Sequence, residues 1–262
     1  MPGVDAARLR AFEDFALRLA DAAKPVALRY FRKPLAIDTK ADESPVTIAD
    51  REIETALRTL IQATHPDHGI LGEEHGRSGL DREFLWVIDP IDGTKSFISG
   101  MPTFGVLIAL LQHGRPLLGI ADHPAMGERF VGIAGAQTRW NGAGCRVRDC
   151  RRLKDAILFA TTPDMFEGDA AAPFERVSRA AKVRRFGGDC FAYAMLAGGH
   201  VDAVVEAQLQ PYDYMALVPM VEGAGGIITD WTGAPLTIDS DGRVIAAATA
   251  SLHKEIRDQL NP

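Results

Sequence analysis

Cysteine is scarce in this 262-residue chain. Cys145, Cys150 and Cys190 are the whole supply, and they form neither a CxxC pair nor an even set for bridging. Reduced structural thiols are therefore expected in place of a disulfide framework. Apolar runs such as Val106 to Leu111 fall far short of the roughly 20 residues that cross a bilayer. The opening MPGVDAARLR has no apolar signal core, so a cytoplasmic protein with no membrane partner is expected. A basic excess is missing too. Lys and Arg number 29 against 35 Asp and Glu, a formal charge of −6, which leaves no footprint for nucleic acid as the main partner. Histidines form no HExxH and no compact zinc spacing, and His65, His68, His75, His113 and His123 read as surface or loop groups. No GxSxG elbow, internal repeat or low-complexity linker occurs.

What is present is a chain 47% hydrophobic, enough to bury one large core or two tightly joined ones. Ala6, Leu9, Phe12, Leu17, Leu19 and Ala23 recur at near-helical spacing until Lys33-Pro34, predicting a long opening helix. After Ser44-Pro45, Thr47 with Asp50 three residues on predicts a capped second helix, with Ile48, Ile53, Leu57, Leu60 and Ile61 on its buried face. Strand patterns follow at 68–71, 84–88, 104–111, 117–121 and 129–133, with a hairpin turn at Gln112-His113-Gly114-Arg115. The turn-rich Trp140-Asn141-Gly142-Ala143-Gly144 marks a seam between an N-terminal half, 1–143, and a C-terminal half, 144–262. The second half reads as strands at 156–161, 201–207, 226–229 and 244–248, with helices at 174–181, 190–197, 214–222 and 252–260. Mixed elements of this kind stack as layers, an α+β fold.

The chemistry is concentrated in WVIDPIDGTKSF, residues 86–97. Its strand-forming start is buried, so Asp89 sits where the chain leaves the core, and no Lys or Arg lies between Trp86 and Thr94. Carboxylates persist there when paired, strongly hydrogen-bonded or bound to a metal. Two further acidic features are Gly72-Glu73-Glu74 after a short apolar strand and Pro211-Tyr212-Asp213 at a helix start. Taken singly they read as solvated loop charges and a helix cap, as does Asp50. Taken with Asp89 and Asp92 they offer what a hard divalent cation needs, oxygen ligands from several chain segments. The DxDGT motif of aspartyl-nucleophile phosphatases is out of register, because two residues separate Asp89 from Asp92.

The set Gly72-Glu73-Glu74, Asp89-Pro90-Ile91-Asp92-Gly93-Thr94, and Tyr212-Asp213 followed by Gly223-Ala224-Gly225-Gly226 resembles the inositol monophosphatase family over nearly the whole chain. Asp92 to Gly100, Gly187 to Tyr193 and Gln210 to Tyr214 are most similar to its histidinol-phosphatase branch. The resemblance implies a layered αβαβα sandwich of the inositol monophosphatase and fructose-1,6-bisphosphatase type, and a homodimer. It implies two or three Mg²⁺ ions, replaceable by Mn²⁺, held by Glu73, Asp89, Asp92, Asp213 and the backbone carbonyl of Ile91, with Asp50 near a further, weaker one. Thr94, Glu73 and Asp50 form the implied catalytic set, and the backbone amides of Gly93 and Thr94 cradle the phosphate. The implied reaction is direct in-line attack of a cation-activated water on a small phosphorylated alcohol, without a phosphorylated protein. L-histidinol phosphate carries an ammonium and an imidazole, so Asp189 and Glu206 are the candidate substrate contacts. Glu206 equally suits the hydroxyls of inositol or stands as a strand-end charge, and Asp189 equally serves as an N-cap. Inositol 1-phosphate or a broader range of sugar or nucleotide phosphates is the alternative substrate set, and a regulatory RNA- or protein-binding role is the alternative of another kind.

Overall fold

Residues 4–34, 37–39 and 45–261 are described by a computed structural model of the chain. The opening helix α1 (Ala6–Tyr30) starts at Asp5, whose carboxylate accepts the Ala7 and Arg8 N–H groups, and buries Phe12, Phe15, Ala16, Leu19, Ala20, Ala23 and Ala27. Strands β1 (Ile37–Thr39) and β2 (Pro45–Thr47) pair antiparallel and lead into α2 (Ile48–Thr64). The predicted capping box is present: Asp50 accepts the Thr47 N–H at 2.9 Å and the Thr47 hydroxyl accepts the Ala49 N–H at 3.1 Å. Ser44, at the expected break, lies outside the described residues. The buried stripe of α2 differs from expectation. Ile48 and Leu60 are 54% and 38% exposed, while Asp50, Ile53, Glu54, Leu57 and Ile61 are buried. These last five follow the spacing of one helical face and Ile48 and Leu60 flank it, so two acids occupy positions hydrophobicity alone assigns elsewhere.

The first sheet contains β3 (Gly69–Gly72), β4 (Arg77–Ser78), β5 (Phe84–Asp92), β6 (Gly105–Gln112), β7 (Arg115–His123), β8 (Glu128–Ile133), β9 (Arg139–Trp140) and β10 (Ala143–Gly144). Their order is β10-β9-β8-β7-β6-β5-β3-β4. Helix α3 (Thr94–Ile98) follows β5. The β6–β7 turn falls at His113-Gly114, both with positive φ, the geometry that matches strand twist in a two-residue hairpin. Asn141 and Gly142 make the same turn between β9 and β10, so the turn-rich segment still pairs within the first sheet.

The second sheet contains β11 (Ile157–Ala160), β12 (Val183–Phe186), β13 (Ala203–Glu206), β14 (Ile227–Asp230) and β15 (Val244–Ala247), in the order β12-β11-β13-β15-β14. Its helices are α4 (Ala171–Ala180), α5 (Asp189–Ala197), α6 (Pro211–Tyr214), α7 (Leu217–Gly223) and α8 (Ala250–Leu260). The single helix expected over 214–222 is thus two pieces. Pro219 has no N–H to give to the carbonyl four residues back, which fits it to the first turn of a fresh helix and not to the middle of a continuous one.

Alternation along the strands divides the core into three. Phe84, Trp86 and Ile88 with Val106, Ile108 and Leu110 face α1 and α2. Leu85, Val87, Leu107, Ala109 and Leu111 face the middle helices, α5 to α7, which also cover Val204, Val244 and Ala246 of the second sheet. Ala203, Val205, Ile245 and Ala247 face α4 and α8. The result is an α+β sandwich of five layers, helices, sheet, helices, sheet, helices, as the period-two strand pattern requires.

Candidate metal centre and active site

Asp89 and Asp92 lie three residues apart, and on a regular strand they would point to opposite faces. The β5–β6 register corrects this: Asp89 pairs with Leu107 but Asp92 with Gly105, three steps on one strand against two on the other. This bulge falls between Asp89 and Asp92, where Pro90 has no N–H for the ladder, and it turns both acids to one side. Asp213 joins them from α6. One carboxylate oxygen from each of Asp89, Asp92 and Asp213 lies within 4.8 Å of the others.

Each of the three is oriented by a backbone N–H through an oxygen of its carboxylate. Ile91 N donates to Asp89 Oδ1 at 3.0 Å, Cys190 N to Asp92 Oδ2 at 2.7 Å, and Gln210 N to Asp213 Oδ2 at 2.7 Å. The expected helix-cap role of Asp213 and its place in the cluster are therefore held by one side chain together. Burial, then the charges of Glu73, Asp92 and Asp213, push Asp89 well above the usual carboxylate range. Burial, then Asp213 and Asp189, do the same for Asp92. Asp213 is raised to about 7, chiefly by burial. Like charges pressed together in a dry place call for a cation.

Glu73 borders the same cavity, of about 210 Å³, together with Asp92, Gly93, Thr94, Lys95, Thr161, Asp189, Cys190, Tyr193, Glu206 and Asp213. The turn carrying Glu73 rests on Glu54 of α2, an acid that sequence reading passes over as one more polar residue of an amphipathic helix. Asp50 is 0% exposed. Its Oδ2 accepts from the Thr47 hydroxyl at 2.6 Å, while its Oδ1 has no hydrogen-bond partner among the described residues. Burial raises Asp50, and the nearby Glu74 adds to the effect. The Ile91 carbonyl accepts the Thr94 hydroxyl at 3.1 Å. Gly93 has φ of +82° and precedes α3, and a Cβ there would stand 2.8 Å from Asp189 Cγ. Both facts require glycine.

The two candidate substrate contacts also border this cavity. Asp189 is not an N-cap: Gly188 occupies that position, and Asp189 is the first helical residue, at φ +46°. Its Oδ2 accepts the hydroxyls of Ser96 and Thr103. Glu206 is 2% exposed. Its Oε1 accepts Thr161 N and Oγ1 at 2.8 and 2.6 Å, and its Oε2 accepts the Tyr193 hydroxyl at 2.8 Å. Burial raises it to about 7 despite those donors. Thr161 gives no sequence signal for a place at the cavity, and Tyr193, which from sequence could wall a pocket or pack in the core, borders the cavity while being buried.

The histidine reading needs correction. His123 is fully buried, and His65 stacks on His68 at 4.5 Å. Aromatic neighbours draw them in: Phe191 against His123, and Phe12, Phe15 and Trp86 around the pair. None of them joins the acidic cluster. Among the described residues no helix is long and apolar enough to cross a membrane. The three thiols are free, with Cys150 and Cys190 buried and Cys145 half-buried.

The family model of the inositol monophosphatase family matches residues 8–261. The Arabidopsis thaliana bifunctional phosphatase IMPL2, chloroplastic, is 45% identical over 251 residues, 92% of this chain and 72% of that protein. The histidinol-phosphatase of Chlorobaculum parvum is 36% identical, covering 88% of this chain and 90% of that one. An inositol monophosphatase structure from Zymomonas mobilis superposes with a TM-score of 0.88 at 44% identity, over 96% of this chain and 99% of that chain.

Proposed function

The chain belongs to the inositol monophosphatase family, and from that premise we propose that it is a Mg²⁺-dependent histidinol-phosphatase, releasing L-histidinol and phosphate. The observation that carries the substrate is a second pair of acids, Asp189 and Glu206, bordering the cavity that Glu73, Asp92 and Asp213 also line. An ammonium or imidazolium beside Glu206 favours its ionised form, and the ion pair formed in that dry wall discriminates against a neutral polyol. The similarity to a histidinol-phosphatase supports the same reading.

The donor set fits a hard cation: hard carboxylate oxygens from the end of β5 and from α6, mutually repelling, and a buried Asp50 oxygen with no hydrogen-bond partner among the described residues. Glu73, Asp89, Asp92, Asp213 and the Ile91 carbonyl are the groups that would hold Mg²⁺, with Asp50 near a further, weaker ion. Bound there, Mg²⁺ supplies charge neutralisation for the phosphate oxygens, a lowered water pKa and stabilisation of the leaving alkoxide. Thr94 gives its proton to the Ile91 carbonyl, so what it offers an attacking water is its lone pairs, and it holds that water by accepting. Glu73, on the same wall, is the carboxylate able to take the water's proton. Gly93 keeps the turn open for close approach of the phosphate to the Gly93 and Thr94 backbone. Tyr193 and Thr161 fix the direction of Glu206 toward the alcohol. A homodimer is part of the same proposal, checked by sedimentation velocity of the purified chain.

The test is kcat/KM for L-histidinol phosphate against inositol 1-phosphate in Mg²⁺, with an EDTA control. A strong preference for histidinol phosphate is expected. Preference for inositol phosphate overturns the substrate, and turnover indifferent to EDTA overturns the metal.

A further inference from the structure

Glu54 is fully buried on α2, one turn beyond Asp50. It takes no part in the acid cluster, yet both of its oxygens are in use. Oε2 accepts the Glu74 N–H at 2.6 Å, and Oε1 accepts the His75 N–H at 3.1 Å and Arg58 Nε at 2.7 Å. Arg58 also donates to the Gly76 carbonyl. On the near side of the turn, Gly72 presses so closely that a Cβ would stand 2.1 Å from Glu54 Oε1.

We propose that Glu54 is a positioning residue for Glu73. It grips the main chain on both sides of that residue, by contact at Gly72 and by hydrogen bonds at Glu74 and His75, and so holds the Glu73 carboxylate against Asp89. This rests on the reading of the acid cluster as a cation site. The turn needs such a grip. Its ends are joined across by the Gly72 N–H to the Gly76 carbonyl at 3.0 Å, and between them lie residues with no apolar side chain to bury. A charged acceptor taking three N–H groups is stronger than neutral alternatives, and a fully buried one loses little to water or salt. Glu73 is thereby prepaid in orientation, which lowers the entropic cost of bringing the cluster's acids around one ion.

Glu54→Gln tests this because it preserves size and burial. Its amide has one acceptor oxygen, and its NH₂ turns a donor toward an N–H, so at least one of the bonds to Glu74 and His75 is lost. Two readouts are taken on EDTA-stripped, full-length protein: Mn²⁺ affinity from the EPR signal of free Mn²⁺, and the Mg²⁺ concentration for half-maximal turnover. Both are expected to weaken in parallel by about 10- to 100-fold, the usual effect of losing a group that orients a ligand. Turnover should return toward wild type at high Mg²⁺, a rescue that a general loss of packing does not show. Arg58→Gln leaves the two backbone bonds in place and removes only the guanidinium, so it is the second variant should Glu54→Gln not fold, expected to weaken Mn²⁺ binding in the same direction by a smaller factor. A folded Glu54→Gln of lower thermal stability with unchanged Mn²⁺ affinity overturns the proposal, as does Arg58→Gln with wild-type affinity where it stands in. Wild-type protein that binds no Mn²⁺ overturns instead the cation reading beneath it.

Discussion

Asp89→Asn should stabilise the metal-free protein while destroying its activity. Three carboxylate oxygens lie within 4.8 Å of one another. At an effective dielectric of about 20, two full charges at that separation repel by about 3.5 kcal/mol. The raised affinities of these acids for protons show that the molecule already relieves part of that repulsion by neutralising itself. Removing one charge therefore recovers a fraction of it, about 1–3 kcal/mol, against the modest cost of an amide that keeps the Ile91 N–H contact. At about 2–4 °C per kcal/mol for a chain of this size, metal-free Asp89→Asn should melt roughly 2–12 °C above metal-free wild type. In Mg²⁺ the order reverses. Wild type gains about 4.1 kcal/mol at a thousand times its dissociation constant, and the variant, lacking a ligand, gains little. Scanning calorimetry of both proteins in EDTA and across a Mg²⁺ series measures all four states, and phosphatase turnover of the variant should fall by at least about 100-fold. A metal-free Asp89→Asn less stable than wild type, or turnover surviving the substitution, would refute the account of this cluster as a cation site held together against its own charge.

The buried histidines predict a separate pH effect. His123 is held down to about 4 by burial, and His68 to about 4 by burial and then the charge of His65. The unfolded chain binds those protons near 6.5, so stability is complete above that pH and falls as the pH drops from about 6.5 toward 4. His68 Nδ1 accepts from Trp86 Nε1 at 3.1 Å. His68→Gln keeps an acceptor and removes the titration, so the unfolding free-energy gap between wild type and variant should change across that window, by up to about 2 kcal/mol. A gap constant with pH contradicts the assignment, and taking the gap cancels the opposing contribution of the carboxylates. Glu206→Gln should lower kcat/KM for L-histidinol phosphate about 10- to 100-fold, as expected for a lost buried charge pair, and lower that for inositol 1-phosphate less. Equal losses on both substrates would make Glu206 a structural acid.

Strands with apolar residues on both faces were easiest to read. The runs at 84–88 and 104–111 fall in β5 and β6 because each is covered by helices on two sides. Val183–Phe186 was missed as a strand, and its physics explains why: β12 is the edge of the second sheet, all four residues are exposed, and two of them are arginines. Edges are kept polar to discourage pairing with other chains, which removes the very alternation by which strands are recognised. At the site, Asp89 was legible because an acid ending an apolar run is anomalous, whereas Asp92 and Asp213, each ordinary in its turn or at its helix start, stood out only jointly and through the family resemblance. Glu54 was not, since a glutamate on an amphipathic helix is ordinary until the fold lays a glycine on it. The bulge between Asp89 and Asp92 was equally hidden. The proline is visible, but which neighbour it slips against depends on β6.

The middle helices supply the Cys190 N–H that orients Asp92, as well as Asp213 itself. In the order in which the chain is synthesised, Asp89 and Asp92 come more than ninety residues before these partners. A nascent chain that has completed only its first sheet thus carries Glu73, Asp89 and Asp92 but neither Asp213 nor the Cys190 N–H that aims Asp92. The acid cluster is complete only after the layer shared by both sheets has docked.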